Sequence, residues 1–226
     1  MLYSPVMEIT YLGHASFKLR GKTGTVVTDP FDSKYVGFDF PKVSADIVTV
    51  SHHHPDHDNL KAISGTVRRP EPFIIDAPGE YELQDISVFG YPSFHDNKNG
   101  AERGKNTIMV IAADGIRIAH LGDLGHTLSD QQIDNLGAID VLLIGVGGDS
   151  SIGPKPAAEI IRNIEPSIVI PMHYKTEKHT TEPFAKKLPV EAFLKEMGKE
   201  GIEPVEKLTL VSTSLPEEME IIVLKS

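Results

Sequence analysis

The run Ser51-His52-His53-His54-Pro55-Asp56-His57-Asp58 sets His, His, Asp and His in the spacing H-x-H-x-D-H directly after the apolar stretch Ala45–Val50. So many metal-binding side chains at the end of one buried strand call for a fold that gathers loops at the carboxyl edge of its sheets, which is what open α/β sheets do. If the extended path of the strand runs on, His52, His54 and Asp56 share one side by the period of two, and His53 faces away. Pro55 lacks an N–H and pushes His54 toward an extended conformation, so the ladder stops there and the chain turns, carrying His57 to a different side of the same point. Imidazole and carboxylate together suit zinc, iron, manganese or nickel. The chain has no cysteine, which removes thiolate ligation.

Further single ligands follow other strands. Ile86–Tyr91 reads as a strand followed by Ser93-Phe94-His95-Asp96, Gly115–Leu121 as one followed by Gly122-Asp123, and Ser167–Ile170 as one followed by Pro171-Met172-His173. Four separate strand ends can therefore converge on one cleft.

Taken in order, Ile9-Thr10-Tyr11-Leu12-Gly13-His14-Ala15-Ser16-Phe17, Thr28-Asp29-Pro30, the histidine run, His120-Leu121-Gly122-Asp123 and Ile170-Pro171-Met172-His173-Tyr174 resemble the metallo-β-lactamase fold hydrolases. Within them the resemblance is to the branch of ascorbate-6-phosphate-lactonase-like proteins, and it covers nearly the whole chain. It implies one metal held by His52, His54 and His95, a second held by Asp56, His57 and His173, and Asp123 bridging the two. Asp29 matches an acidic residue that supports the ligands from behind. The implied cofactor is a pair of divalent ions, with Zn2+ expected and Mn2+, Fe2+ or Ni2+ compatible with the same donors. Two cations roughly 3.5 to 4 Å apart share a bridging water whose pKa falls toward about 7, which supplies hydroxide without a Ser or Cys nucleophile. Asp56 and Asp123 are then the catalytic carboxylates, Asp56 ligating and orienting the water and Asp123 offsetting the repulsion of the cations. The remaining imidazole N–H groups need acceptors, for which Asp29, Asp58 and Asp96 are the candidates.

The rest of the chain agrees with an α/β fold. Helical spacing is clearest at Pro156–Ile164 and Val190–Met197, with Pro156 and Pro189 as helix starts. Strands dominate the beginning and later alternate with helices, and Leu208–Val211 and Met219–Leu224 add a last apolar pair. This predicts an αββα sandwich of two mixed β-sheets flanked by helices, metallo-β-lactamase-like in the light of the resemblance. No linker divides the 226 residues, so one hydrolase domain is expected over 1–226, with residues 1–6 a disordered extension or Met7 the native start.

With 22 basic and 32 acidic residues, a net charge of −10 argues against a sequence-independent grip on nucleic acid. No insertion between Asp123 and His173 could serve as a nucleic-acid clamp, so a nuclease is the weaker reading. No segment is apolar and long enough to span a bilayer, and no signal peptide is visible, which makes the cytoplasm the expected location. Self-association into a homo-oligomer is left open. His14, His126, Tyr174 and Lys175 are the candidates for touching substrate, with Arg103 and Lys105 as helpers on the polar stretch after His95. Gly147–Lys155 has turn chemistry but does not match G-x-x-x-x-G-K-[ST], and His179 and Glu182 read as surface residues. The expected function is hydrolysis of a small anionic ester, lactone or phosphodiester. The alternatives are a di-iron redox protein, which lacks the expected flavin domain here, and a metal-binding regulatory protein without turnover.

Overall fold

A computed structural model describes residues 6–226. In chain order the elements are β1 (Val6–Gly13), β2 (Ser16–Arg20), β3 (Thr25–Thr28), α1 (Ser33–Val36), β4 (Val43–Ser44), β5 (Ile47–Thr49), β6 (Ile63–Ser64), β7 (Phe73–Ile75), β8 (Gly79–Leu83), β9 (Ile86–Phe94), β10 (Lys105–Ala113) and β11 (Ile116–His120). They continue with α2 (Asp130–Leu136), β12 (Val141–Gly145), α3 (Pro154–Ile164), β13 (Ile168–Met172), α4 (Val190–Glu196), β14 (Leu208–Val211) and β15 (Glu220–Ile221). Six strands form one mixed sheet in the order β14-β1-β2-β3-β5-β7, and seven form a second in the order β15-β13-β12-β11-β10-β9-β8.

Alternation along the strands explains how the sheets meet. Met7, Ile9 and Tyr11 of β1, Phe17 and Leu19 of β2, Val26 of β3 and Ile47 of β5 all join one core with β9 to β13. Their neighbours Val27 and Val48 point the other way, into a smaller cluster closed by Phe40, Val43 and Leu60. The outer layer over the first sheet is thus made of loops, the β4–β6 pair and a 3₁₀ turn at Leu60–Ala62, while α3 and α4 contribute Ala157, Ile160, Ile161, Phe193 and Leu194 to the main core.

Several boundaries differ from the sequence expectation. Helix α3 begins at Pro154, two residues early, because Gly153 takes the cap position and Pro154 the first turn. Pro189 caps α4 as expected. Helix α2 was not anticipated, although Ser129 and Gln132 form a capping box at its start. Of the extension expected over residues 1–6, residues 1–5 lie outside the described residues. Val6, by contrast, opens β1 opposite Val211, and Met7 pairs with Leu210.

Strand direction positions the site. β9 and β11 both run antiparallel to β10, and β11, β12 and β13 are mutually parallel, so the residues after β9, β11 and β13 emerge at one edge. In the first sheet β3 and β5 are parallel, and β1 runs with them across antiparallel β2, which brings the β1–β2 turn to the same side as the ends of β3 and β5.

Candidate metal centre

The edge collects Asp29 after β3, the histidine run after β5, His95 directly after β9, Asp123 after β11, His173 directly after β13 and His14 in the turn between β1 and β2. His14, Asp29 and His173 have φ of 58°, 39° and 55°. Non-glycine residues seldom adopt this left-handed conformation, and it costs roughly 1–3 kcal/mol each. Here it swings each side chain sharply out of the strand direction.

Two groups form. Candidate ligand atoms of His52, His54 and His95 lie within 4.8 Å of one another, and so do those of His14, Asp56, His57 and His173. Asp123 stands between them, with Oδ2 3.3 Å from His95 Nε2 and Oδ1 3.2 Å from His173 Nε2 and 3.4 Å from His57 Nε2. The expectation that Asp56 shares a side with His52 and His54 does not hold. The strand stops at Thr49, and the His54 carbonyl accepts the N–H groups of His57 (2.8 Å) and Asp58 (3.2 Å), so the chain is already turning around Pro55 when it reaches Asp56. His53 does face away, with its side chain 63% exposed beside Asp58 and Asp76.

Hydrogen bonds behind the imidazoles decide which nitrogen points inward. Asp29 accepts the Ser51 N–H (2.8 Å) and hydroxyl (2.5 Å), and its Oδ2 lies 2.8 Å from His57 Nδ1. Because the Ser51 hydroxyl donates to Asp29, it is free to accept from His52 Nδ1 at 2.9 Å. Asp29 therefore orients His57 directly and His52 through Ser51, which aims the Nε2 atom of each ring inward. These two atoms, with His95 Nδ1, His173 Nε2 and Asp123 Oδ1, are buried and have no hydrogen-bond partner. Buried orphans of this kind cost on the order of 1–3 kcal/mol each, and a divalent cation bound among these rings would satisfy those that present a lone pair to it.

Apart from that of His57, the protonation states fit that purpose. Burial, helped by the charge of His57, pushes His52 down to about 3, and burial also holds His95 below and His173 well below the ordinary imidazole value. Burial would raise Asp56 and Asp123, yet the surrounding imidazoles keep both well below the usual carboxylate range. Burial opposes the charge on His57, but Asp123 and Asp56 outweigh it and raise that imidazole well above its ordinary value. His52, His95 and His173 are thus held in the neutral state a metal ligand requires, beside ionised carboxylates, whereas His57 holds an extra proton that a bound cation would displace.

Other expected residues fall elsewhere. His14 is buried behind Asp56, its Nε2 3.0 Å from Asp56 Oδ2, and has no surface to offer a substrate. His126 accepts the Phe94 N–H through Nε2 at 3.3 Å, supporting the strand that leads into His95. Tyr174 and Lys175 line a separate cavity with Pro189, Val223 and Leu224, and Lys175 Nζ donates to the Ala185 carbonyl at 2.8 Å, so neither side chain reaches the cluster. The chain has already turned away after His173. The lysine that does approach is Lys187, 3% exposed, with Nζ 3.0 Å from His173 Nδ1 and 2.7 Å from Ser150 Oγ. No local pattern marks it. Ser151 Oγ lies 3.2 Å from His173 Nδ1, so the turn-rich stretch after β12 serves this ligand. Asp58 stands beside exposed His53 and Asp96 organises its own turn, so neither supports a buried imidazole. His179 is buried rather than on the surface, whereas Glu182 is exposed as expected.

A cavity of about 590 Å³ opens beside His52 and His54, with Pro78, Phe94, Arg103 and Lys105 among its walls. No helix among the described residues is long and apolar enough to cross a membrane.

Comparison with known proteins places this arrangement in context. The profile of the β-lactamase superfamily domain matches residues 8–173. A solved structure from Thermotoga maritima, assigned to the zinc-dependent hydrolases of the metallo-β-lactamase superfamily, is 38% identical, superposes with a TM-score of 0.77, and is matched over 96% of this chain and 98% of its own. Among curated relatives, UPF0173 metal-dependent hydrolases from Desulforamulus reducens and Archaeoglobus fulgidus are each 29% identical. The first match covers 75% of this chain and 85% of the relative, the second 87% and 93%.

Proposed function

The chain belongs to the metallo-β-lactamase superfamily, and from that premise we propose that it is a metal-dependent hydrolase with a binuclear centre that acts on a small anionic ester, lactone or phosphodiester. His52, His54 and His95 would hold one divalent ion, and Asp56, His57 and His173 a second, with Asp123 shared between them. The observation that carries the binuclear reading is the orientation of Asp123, whose Oδ2 faces His95 while Oδ1 faces His57 and His173. Zinc suits this set of imidazoles and carboxylates.

When bound, two such ions activate a water at neutral pH and polarise the carbonyl or phosphoryl oxygen under attack. The protein supplies orientation. Asp29 and Ser51 fix the rings of His57 and His52, and His14 holds Asp56 Oδ2. Substrate would enter the cavity at His52 and His54, where Ala77, Pro78, Pro92 and Phe94 offer an apolar wall to its organic part. Arg103 and Lys105 supply positive charge for a carboxylate or phosphate. Among the described residues the Lys and Arg side chains engaged in ion pairs are those of Lys98, Lys207 and Lys225, so neither Arg103 nor Lys105 is tied to a carboxylate, and Asp76 on the same cavity lies toward His53. Arg103 is presented by an ordered turn, because Asp96 accepts the N–H groups of Lys98, Gly100, Glu102 and Arg103 at 2.7–3.0 Å.

Elemental analysis combined with a panel of matched neutral and anionic esters, lactones and phosphodiesters tests the reading. Two metals per chain and turnover of anionic members are expected. Arg103→Ala should weaken an anionic ester by about tenfold to a hundredfold, since one charge-assisted hydrogen bond is worth roughly 1.5–3 kcal/mol, and spare the neutral ester. Lys175→Ala should change neither. One tight metal at saturation would sink the binuclear assignment, and no turnover of any substrate would favour a metal-binding protein without catalysis.

A further inference from the structure

We infer that His179 is a positioning residue for Asp56, acting through His14 in a hydrogen-bond relay that begins at the backbone N–H of Thr176. The inference rests on Asp56 serving as a ligand in the centre proposed above.

Each direction in the relay follows from the one before. The Thr176 N–H can only donate, and it meets His179 Nδ1 at 3.1 Å. His179 Nδ1 is therefore an acceptor, and a neutral ring then carries its proton on Nε2. That nitrogen lies 3.3 Å from His14 Nδ1. Two N–H groups cannot face each other at this distance, so His14 Nδ1 accepts and the His14 proton sits on Nε2. From there it points at Asp56 Oδ2, 3.0 Å away. His14 thus donates to Asp56 and has no lone pair to offer a metal, although it lies in the same cluster as Asp56, His57 and His173.

The surroundings favour this reading over a solvated accident. His14 and His179 are 1% and 7% exposed, and the rings of Phe184 and Phe38 close over them at centroid distances of 4.8 to 5.3 Å. Burial, with His14 and Lys187 adding to it, brings His179 down to about 3, so it holds a single proton. In so dry a site a directed hydrogen bond is stronger than it would be in water. The start of the relay is fixed as well. The His179 N–H returns to the Thr176 carbonyl at 3.1 Å, and Thr181 Oγ1 donates to the Tyr35 carbonyl at 2.8 Å, which ties this segment to α1.

Imidazole 15N NMR on the zinc-loaded full-length chain tests the relay. Both His179 and His14 should show protonated Nε2 and unprotonated Nδ1. In a chelator-competition titration, His179→Phe should weaken the second zinc equivalent by about tenfold to a hundredfold, the usual cost of removing a group that orients a ligand, and leave the first unchanged. His179→Gln, whose amide can accept from Thr176 and donate to His14, should restore most of that affinity. A wild-type His14 protonated at Nδ1, or a second zinc equivalent bound equally by wild type and His179→Phe, would overturn the inference. If the chain takes up only one zinc, the binuclear reading falls, and the wild-type tautomers alone decide the relay; they also decide it should His179→Phe fail to fold.

Discussion

Ser51 carries no candidate ligand atom, yet it determines how two imidazoles present themselves. Its hydroxyl donates to Asp29 Oδ2 and accepts from His52 Nδ1, so one proton position links a carboxylate to a ring it does not touch. Ser51→Ala removes the acceptor for the His52 N–H while keeping the backbone bond to Asp29 and the direct Asp29–His57 contact. The expected result is a first metal equivalent weakened by about tenfold to a hundredfold, as is typical when the partner behind a ligating histidine is lost. The second equivalent should change less. Chelator competition measures both, and an unchanged first affinity would mean that packing alone orients His52.

At the scale of elements, the turn leaving β11 joins the sheets and carries Asp123. His120 Nδ1 accepts the Gly122 N–H at 3.2 Å, so its proton lies on Nε2 and is donated to the Ala15 carbonyl of the β1–β2 turn at 2.7 Å. Asn106 on β10 accepts the Asp123 N–H at 3.0 Å and donates to the Leu121 carbonyl at 3.0 Å, clamping the turn from both sides. Gly122 has φ of 56°, and a Cβ there would stand 2.3 Å from Asn106 Oδ1 and 2.5 Å from Ser51 Cβ. Gly122→Ala should therefore destabilise the fold by about 1–3 kcal/mol, the cost of forcing atoms into a filled space. It should also weaken metal binding, because Asn106 and Ser51 must move. Denaturant unfolding with parallel metal titration checks this, and wild-type stability in Gly122→Ala would show that the turn has slack.

Across the whole molecule, the junction of the two sheets buries three carboxylates, Asp29, Asp56 and Asp123, in a chain whose net charge is already −10. Imidazoles offset them only in part, since His52 and His173 are held neutral by burial. Metal should accordingly stabilise the fold as well as serve chemistry. A site filled at a hundred times its dissociation constant adds about 2.7 kcal/mol, and with roughly 2–4 °C per kcal/mol for a chain of this size, chelation should lower the melting temperature by about 5–10 °C for each site emptied. Thermal unfolding at graded zinc concentrations measures it. A melting temperature indifferent to metal would mean that the folded chain does not bind it in preference to the unfolded one.

The histidine run, His95, Asp123 and His173 were legible in the sequence because few side chains can hold a divalent ion and because their places at strand ends follow from local apolar runs and turn residues. The two mixed sheets were legible for the same reason, since the period of two and the alternation of strands with helices are written locally. The side on which each residue ends was decided by tertiary structure. Asp56 parts from His52 and His54 at a turn that the loop after β3 holds in place, the Asp32 N–H donating to the Pro55 carbonyl and the Asn59 N–H to the Pro30 carbonyl, each at 2.8 Å, and Lys175 lines another cavity beside Pro189, Val223 and Leu224. Lys187 and His179 lie in a polar stretch without period, and only packing against Phe184 and the β1–β2 turn buries them. Residue type sets what chemistry is available at a position, whereas the direction of a side chain beyond a turn depends on bonds made by residues far away in sequence.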